Sequence, residues 1–269
     1  MSELSSRLAI RACLIVLLLS AVVGCETQTA KFLKEIKTEA LSGDSDAQFT
    51  LGNMYFGGSY VSKSAVEAVE WYRKAAEQGH LRAQKRLSFI YHEGKGVPQD
   101  DFEAVKWYRK AAEQGDADSQ NMLGFMYNRG EGVPKNVIEA VKWYRKAAEQ
   151  GDAKAQSNLG MMYNNGEGVP KNTVEAVNLF RKAAEQGLPV AQGNLGMMYK
   201  YGEGVSKDYV EGYAWCVISA ANGFESAKDN LPSFERYMTA KQISDGQERA
   251  SQLFEQINAN KENNATVTP

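Results

Sequence analysis

Apolar positions along this chain recur on two scales. Within short stretches they fall three and four residues apart, as in Leu123 and Tyr127 beside Met122 and Met126, which places them on one face of a helix. On a longer scale whole strings recur. Trp-Tyr-Arg-Lys-Ala-Ala-Glu-Gln-Gly stands at 71–79, 107–115 and 143–151, a step of 36 residues. It returns as Leu-Phe-Arg-Lys-Ala-Ala-Glu-Gln-Gly at 179–187 and decays to Trp-Cys-Val-Ile-Ser-Ala-Ala-Asn-Gly at 215–223. A unit of this size cannot bury its apolar face alone, so copies must stack. The pattern predicts an all-α chain, an α/α solenoid of helix-turn-helix repeats, and solenoids mostly present surfaces to partners.

Five copies lie at 44–79, 80–115, 116–151, 152–187 and 188–223. In each, a first helix ends at a Gly-x-Gly-Val turn (94–97, 130–133, 166–169, 202–205), with Pro98, Pro134 and Pro170 following it. Glycine suits the left-handed position after a helix, and proline stops the helix from continuing. The second helix opens at Ser64, Asp100, Asn136, Asn172 or Asp208, all good N-cap residues, each worth about 1 kcal/mol. Three residues on stand Glu67, Glu103, Glu139, Glu175 and Glu211, the spacing of a capping box. The small pair Ala111-Ala112 and its copies allow close helix approach, and Gly79, Gly115, Gly151, Gly187 and Gly223 end the unit.

Residues 31–43 read as an N-terminal half repeat and 224–257 as C-terminal capping helices, the last one capped by Thr239. The polar segment 258–269 is expected to be a disordered tail. Some copies depart from the pattern. Tyr60 and Ser62 replace turn glycine and proline, so that turn is expected to differ; Ser88 replaces a helix glycine. In the fifth copy Pro189, Gly212 and Cys216 are unusual, which predicts looser packing there.

Residues 1–24 differ in kind. Arg7 and Arg11 precede an apolar run from Ala12 to Val23, too short to span a bilayer comfortably, which suits the core of a secretory signal. Val22-Val23-Gly24-Cys25 resembles the bacterial lipoprotein lipobox, whose cysteine becomes the acylated first residue. The resemblance implies a lipid on Cys25, a tether over 25–30 and, with Glu26 next, placement in the outer membrane facing the periplasm. An uncleaved N-terminal anchor is the alternative, and both readings export the chain and tether it.

Composition narrows the chemistry. A net charge of −2 gives no basic field for nucleic acid. With Cys25 lipidated, Cys216 has no partner in the mature chain, so no disulfide framework exists. His80 and His92 lack a metal motif and read as ordinary helix-surface residues; Cys216 fills an aromatic slot and reads as a small buried substitute. No catalytic group, metal site or cofactor is called for.

Ala-Gln-x-x-Leu-Gly-x-Met-Tyr, then Gly-x-Gly-Val-x-x-Asn, then Glu-Ala-Val-x-Trp-Tyr-Arg-Lys-Ala-Ala-Glu-Gln-Gly is similar to the Sel1-like repeat, a relative of the tetratricopeptide repeat. The resemblance covers 44–223 and implies a right-handed superhelix with a concave groove used for protein–protein contacts. Family members linked to β-lactam hydrolysis or penicillin binding carry a disulfide in each repeat, which this chain lacks. By analogy with tetratricopeptide grooves, two columns on the first helices line that face. One is Asn53, Phe89, Phe125, Met161 and Met197; the other, three residues on, is Phe56, His92, Asn128, Asn164 and Lys200. The competing reading is that this Phe/Met stripe only packs between repeats. Neighbouring Lys85, Arg129, Asn165 and Tyr201 add mixed polarity without a dominant charge.

The expected role is therefore a non-enzymatic, membrane-anchored scaffold of the bacterial cell envelope that binds a protein or peptide in its groove. A polysaccharide-binding or export scaffold, and an envelope hydrolase using Cys216 or a histidine, are the alternatives of other classes.

Overall fold

The computed structural model describes residues 28–267. The signal segment, Cys25 and the first part of the tether lie outside the described residues. Helix α1 covers 28–42. It is followed by α2 (Ser45–Gly57), α3 (Ala65–Glu77), α4 (Leu81–Glu93), α5 (Asp101–Glu113), α6 (Ala117–Arg129) and α7 (Val137–Glu149). Then come α8 (Ala153–Asn165), α9 (Thr173–Glu185), α10 (Pro189–Tyr201), α11 (Tyr209–Ala221), α12 (Glu225–Glu235) and α13 (Ala240–Val267). The described residues contain no strand. The fold is an α/α solenoid: α2, α3 and α4 pack in succession, as do α6 to α12, and α13 packs on α11. None of these helices is long and apolar enough to cross a membrane.

The chain divides into two units, one up to Lys110 and one from Ala111. In the first, Tyr72, Leu87, Ile90 and Trp107 form a buried core between α3, α4 and α5. In the second, Tyr144, Leu159 and Leu179 make one core cluster, and Phe180, Leu195, Trp215 and Leu253 make the next. Close packing in the first, third and fourth hairpins depends on glycine facing an aromatic ring: a Cβ on Gly160 would stand 2.9 Å from Phe180, and one on Gly52 2.6 Å from Tyr72.

A second bond type joins successive repeats. A fully buried glutamine on each first helix donates to a carbonyl at the end of the preceding second helix. The pairs are Gln48 to Ala40 (3.1 Å), Gln84 to Ala76 (3.0 Å), Gln120 to Ala112 (3.0 Å), Gln156 to Ala148 (3.3 Å) and Gln192 to Ala184 (3.1 Å). Its own oxygen accepts from an amide 30 residues later, from Gln78 at 2.8 Å, Gln150 at 2.7 Å, Gln186 at 2.9 Å and Asn222 at 3.1 Å.

The second helices start where the caps predict, with Asn136 Oδ1 accepting from Glu139 N at 3.1 Å and Asp100 Oδ1 from Glu103 N at 3.0 Å. The reciprocal half of the capping box is missing. The cap N–H instead bonds back to the first helix, Asn136 N to Tyr127 O at 2.8 Å, and so closes the turn. This frees the glutamate: Glu103 accepts from Trp107 Nε1 at 3.1 Å, and Glu211 from Trp215 Nε1 at 3.0 Å. A complete box occurs at α13, where Thr239 Oγ1 accepts from Gln242 N and Gln242 Oε1 from Thr239 N, at 3.3 and 2.9 Å.

Several expectations need correction. Tyr60 does not change its turn: its φ of 67° matches the left-handed values of Gly132 (65°) and Gly168 (68°). In later copies a Cβ there would press on the preceding repeat, 2.7 Å from Val137 O at Gly168, whereas Tyr60 meets only the edge of Phe32. Packing in the fifth copy is not looser. Cys216 and Gly212 let α10 and α11 approach until a Cβ on Gly196 would stand 2.6 Å from Cys216 Sγ, and Phe234 of α12 fills the remaining space. Where a polar tail was expected, α13 continues to Val267 and carries Ile257 and Lys261 past Gly187.

His80 is not a surface histidine. Its Nδ1 accepts from Ala83 N at 3.1 Å, Nε2 faces Asp46 Oδ1 at 3.0 Å, and the ring stacks on Phe49 at 4.7 Å. It caps α4 as Asp44, Asp116 and Asp152 cap α2, α6 and α8. Replacing His80 with Ala is expected to cost about 1 kcal/mol in urea unfolding, and His80→Asn, which keeps a capping oxygen, to recover most of that. Equal loss in both variants would deny the capping role.

Candidate partner-binding groove

The two columns sit on α2, α4, α6, α8 and α10, and their surroundings differ between the two units. In the first unit, Phe89 lines a hollow of about 420 Å³ together with Phe49, Arg82, Lys85 and Arg86. Asn53 does not line it; its Oδ1 accepts from the Tyr72 hydroxyl at 2.9 Å. Phe56 leans on Tyr72 and carries the Arg86 guanidinium over its ring at 5.7 Å. His92 Nδ1 lies 3.1 Å from Asp101 Oδ1 at the start of α5, so this ring too is engaged within the fold.

In the second unit Met161, Asn164 and Met197 come together around a hollow of about 340 Å³, with Asn165, Asn194, Tyr201 and Glu203 at its walls. Met161 is 44% exposed and Tyr201 is exposed beside it. The Asn164 Oδ1 is buried and makes no hydrogen bond. Phe125 is half-buried against the α7–α9 core with Arg129 over its ring at 5.2 Å; Asn128, also half-buried, lines neither hollow.

Lys200 leaves the column. It is 7% exposed, its Nζ donates to Ser233 Oγ, and it lies 4.9 Å over the Phe234 ring. The fifth copy is the last, and α12 covers the surface that its neighbours leave open. The Phe/Met stripe thus does two jobs: Phe56, Phe125 and Met197 pack partly against the core, while Phe89 and Met161 face open space.

The columns missed Phe49, Arg82, Arg86 and Asn194. Their signal was spacing: Phe49 precedes Asn53 by four, Arg82 and Arg86 precede Phe89 by seven and three, and Asn194 precedes Met197 by three. Such offsets share one helix face. The expectation of no dominant charge holds around Met161 but not around Phe89, where every charged residue lining the hollow is a cation.

Burial pushes the Cys216 thiol up to about 12 and the Tyr72 hydroxyl up to about 12. Among the described residues no group of three or more His, Cys, Asp or Glu is placed to hold a metal ion.

The Sel1 repeat family model matches residues 45–80, 81–116, 117–152, 153–188 and 189–224. The chain belongs to the Sel1 repeat family. Its Sel1 repeats are similar to the crystal structure of a protective antigen present in uropathogenic Escherichia coli strains and displaying an SLR fold. Identity is 40% over 82% of this chain, with a TM-score of 0.75. The chain spans about half of that antigen's length, 48%. It is also similar to a Sel1 repeat protein from Oxalobacter formigenes, with 34% identity over 81% of this chain and 89% of that one, and a TM-score of 0.64. No curated protein matches the chain significantly. A Sel1 repeat scaffold of this kind is suited to protein–protein interaction.

The buried thiol yields a direct test. In the Cys13→Ser, Cys25→Ser background, Cys216 is expected to stay unreactive toward a thiol reagent at pH 8 until the protein unfolds in denaturant. Rapid labelling of the native chain would reopen a nucleophilic role.

Proposed function

We propose that this Sel1 repeat protein is an exported, lipid-anchored scaffold of the bacterial cell envelope. It captures a protein partner on the open faces of its first helices. The carrying observation is the pair of hollows on the first helices, one lined by a half-buried Phe89 beside cations and the other by an exposed Met161 beside amides. Helical or extended peptides are held in this way by apolar anchors with polar borders. The lipid on Cys25 and the outer-membrane, periplasm-facing location rest on the lipobox-like sequence alone. An anchored scaffold raises its effective concentration toward partners on the same surface. Binding rather than catalysis is favoured because the thiol is buried and both histidines are engaged in structural contacts.

The test pairs partner capture with location. Cross-linking in envelope preparations with the Phe89→Ala, Met161→Ala variant is expected to lose partner adducts at least tenfold, as for apolar hot spots, with helical circular dichroism unchanged. Cys25→Ser is expected to move the protein from the membrane to the soluble fraction. Undiminished adducts would remove the groove assignment, and unchanged membrane partition would remove the lipid.

A further inference from the structure

We infer that the hollow of the first unit receives an extended acidic segment of the protein partner, with aspartate or glutamate side chains meeting Arg82 and Arg86. This deepens the scaffold reading above and rests on it.

The two arginines break the repeat. The slot of Arg82 holds Asp46, Asp118, Lys154 and Val190 in the other copies, and the slot of Arg86 holds Thr50, Met122, Asn158 and Asn194. Only α4 places two guanidinium groups on adjacent turns of the open face. No carboxylate lines the hollow they share with Phe49 and Phe89. Arg86 has no acidic partner among the described residues. Arg82 reaches Asp46 Oδ1 at 3.5 Å with both side chains largely in water, a pairing weak enough to be exchanged for a ligand carboxylate.

The aromatic rings prepare these cations rather than compete with them. Arg82 lies over Phe49 at 5.1 Å and Arg86 over Phe56 at 5.7 Å. A guanidinium held against a ring keeps its N–H edge free, and that edge matches a carboxylate bidentately. Four residues of helix set the arginines about 6 Å apart along the axis. Alternate residues of an extended strand are about 6.6 Å apart on one face. Two acidic residues separated by one therefore match Arg82 and Arg86, while the ring edges remain for apolar neighbours.

The same geometry weighs against a sugar polymer. Carbohydrate recognition by aromatics needs bare ring faces, but Phe49 is covered by both Arg82 and His80, Phe56 by Arg86, and Phe89 by Lys95 at 4.3 Å. The hollow around Met161 has amides and Glu203 where the first has Arg82 and Arg86, so the charge preference belongs to the first unit.

The test uses the full chain and short labelled peptides alternating Glu with Val, or Gln with Val, each carrying a photo-cross-linker. Fluorescence anisotropy is expected to show the Glu peptide binding at least tenfold more tightly than the Gln peptide and weakening with added salt. Arg86→Gln and Arg82→Gln should each reduce Glu-peptide binding about tenfold or more. Arg86→Lys, which keeps the charge and loses the fork, should fall between, and cross-links should map beside Phe89. Equal binding of the two peptides, or Glu-peptide binding indifferent to Arg86→Gln in a variant of unchanged helicity, would overturn the inference. So would alginate, a polyuronate, displacing the peptide and losing affinity itself in Arg86→Gln. If neither peptide cross-links near Phe89 or Met161, the scaffold reading falls with it; neutral peptides captured near Met161 would remove only the acidic preference.

Discussion

The structure depends on one buried amide. In each repeat the glutamine of the Ala-Gln-x-x-Leu motif is withdrawn from water, which is tolerable only if its donor and acceptor find partners. Gln156 meets that demand in both directions. Its nitrogen satisfies Ala148 O at the end of the preceding repeat, and its oxygen satisfies Gln186 at the end of its own. The carbonyls it binds belong to the last turns of helices, which otherwise lack intrahelical donors. One side chain therefore ends a helix, starts a packing contact and joins two units. Apolar burial supplies most of the stability, but it is not directional; the amide bonds fix the register in which repeats stack.

Other repeated features follow from that register. With the first helix pinned at its start by Gln, a glycine lets it lie close on its partner, as where Gly160 faces Phe180. The turn then closes by a bond from the cap N–H to the first helix, and the arginine of the second helix reaches a tyrosine 18 residues on, Arg145 to Tyr163 at 3.2 Å and Arg181 to Tyr199 at 2.9 Å. These bonds use the interior and one side of each hairpin. The opposite faces of α4 and α8 carry few of these bonds, and there the copies diverge into Phe89 with its arginines or Met161 with its amides.

Much of this was legible before any coordinates. The period, the helix limits, the second-helix caps and the end units were visible because each rests on local chemistry repeated at a fixed step. The role of the glutamine was not, since its partners lie eight residues back and 30 residues ahead. His80 and Tyr60 misled for a related reason. A residue type that is rare at a cap or in a left-handed turn can still take the required geometry when its neighbours supply a ring or leave space. Helical spacing put Phe89 and Met161 on an open face, but nothing in the spacing revealed that α12 would cover Lys200 or that Asn53 would serve Tyr72. The cations beside Phe89 were readable only by carrying the same helix face back one and two turns.

The most direct check on the amide ladder is a double-mutant cycle. Gln156→Leu, Gln186→Leu and the double variant are compared by urea unfolding. A shared buried hydrogen bond requires the double variant to lose about 1 kcal/mol less than the sum of the single losses. Additivity within a few tenths of a kcal/mol would contradict the ladder as the element that fixes repeat register.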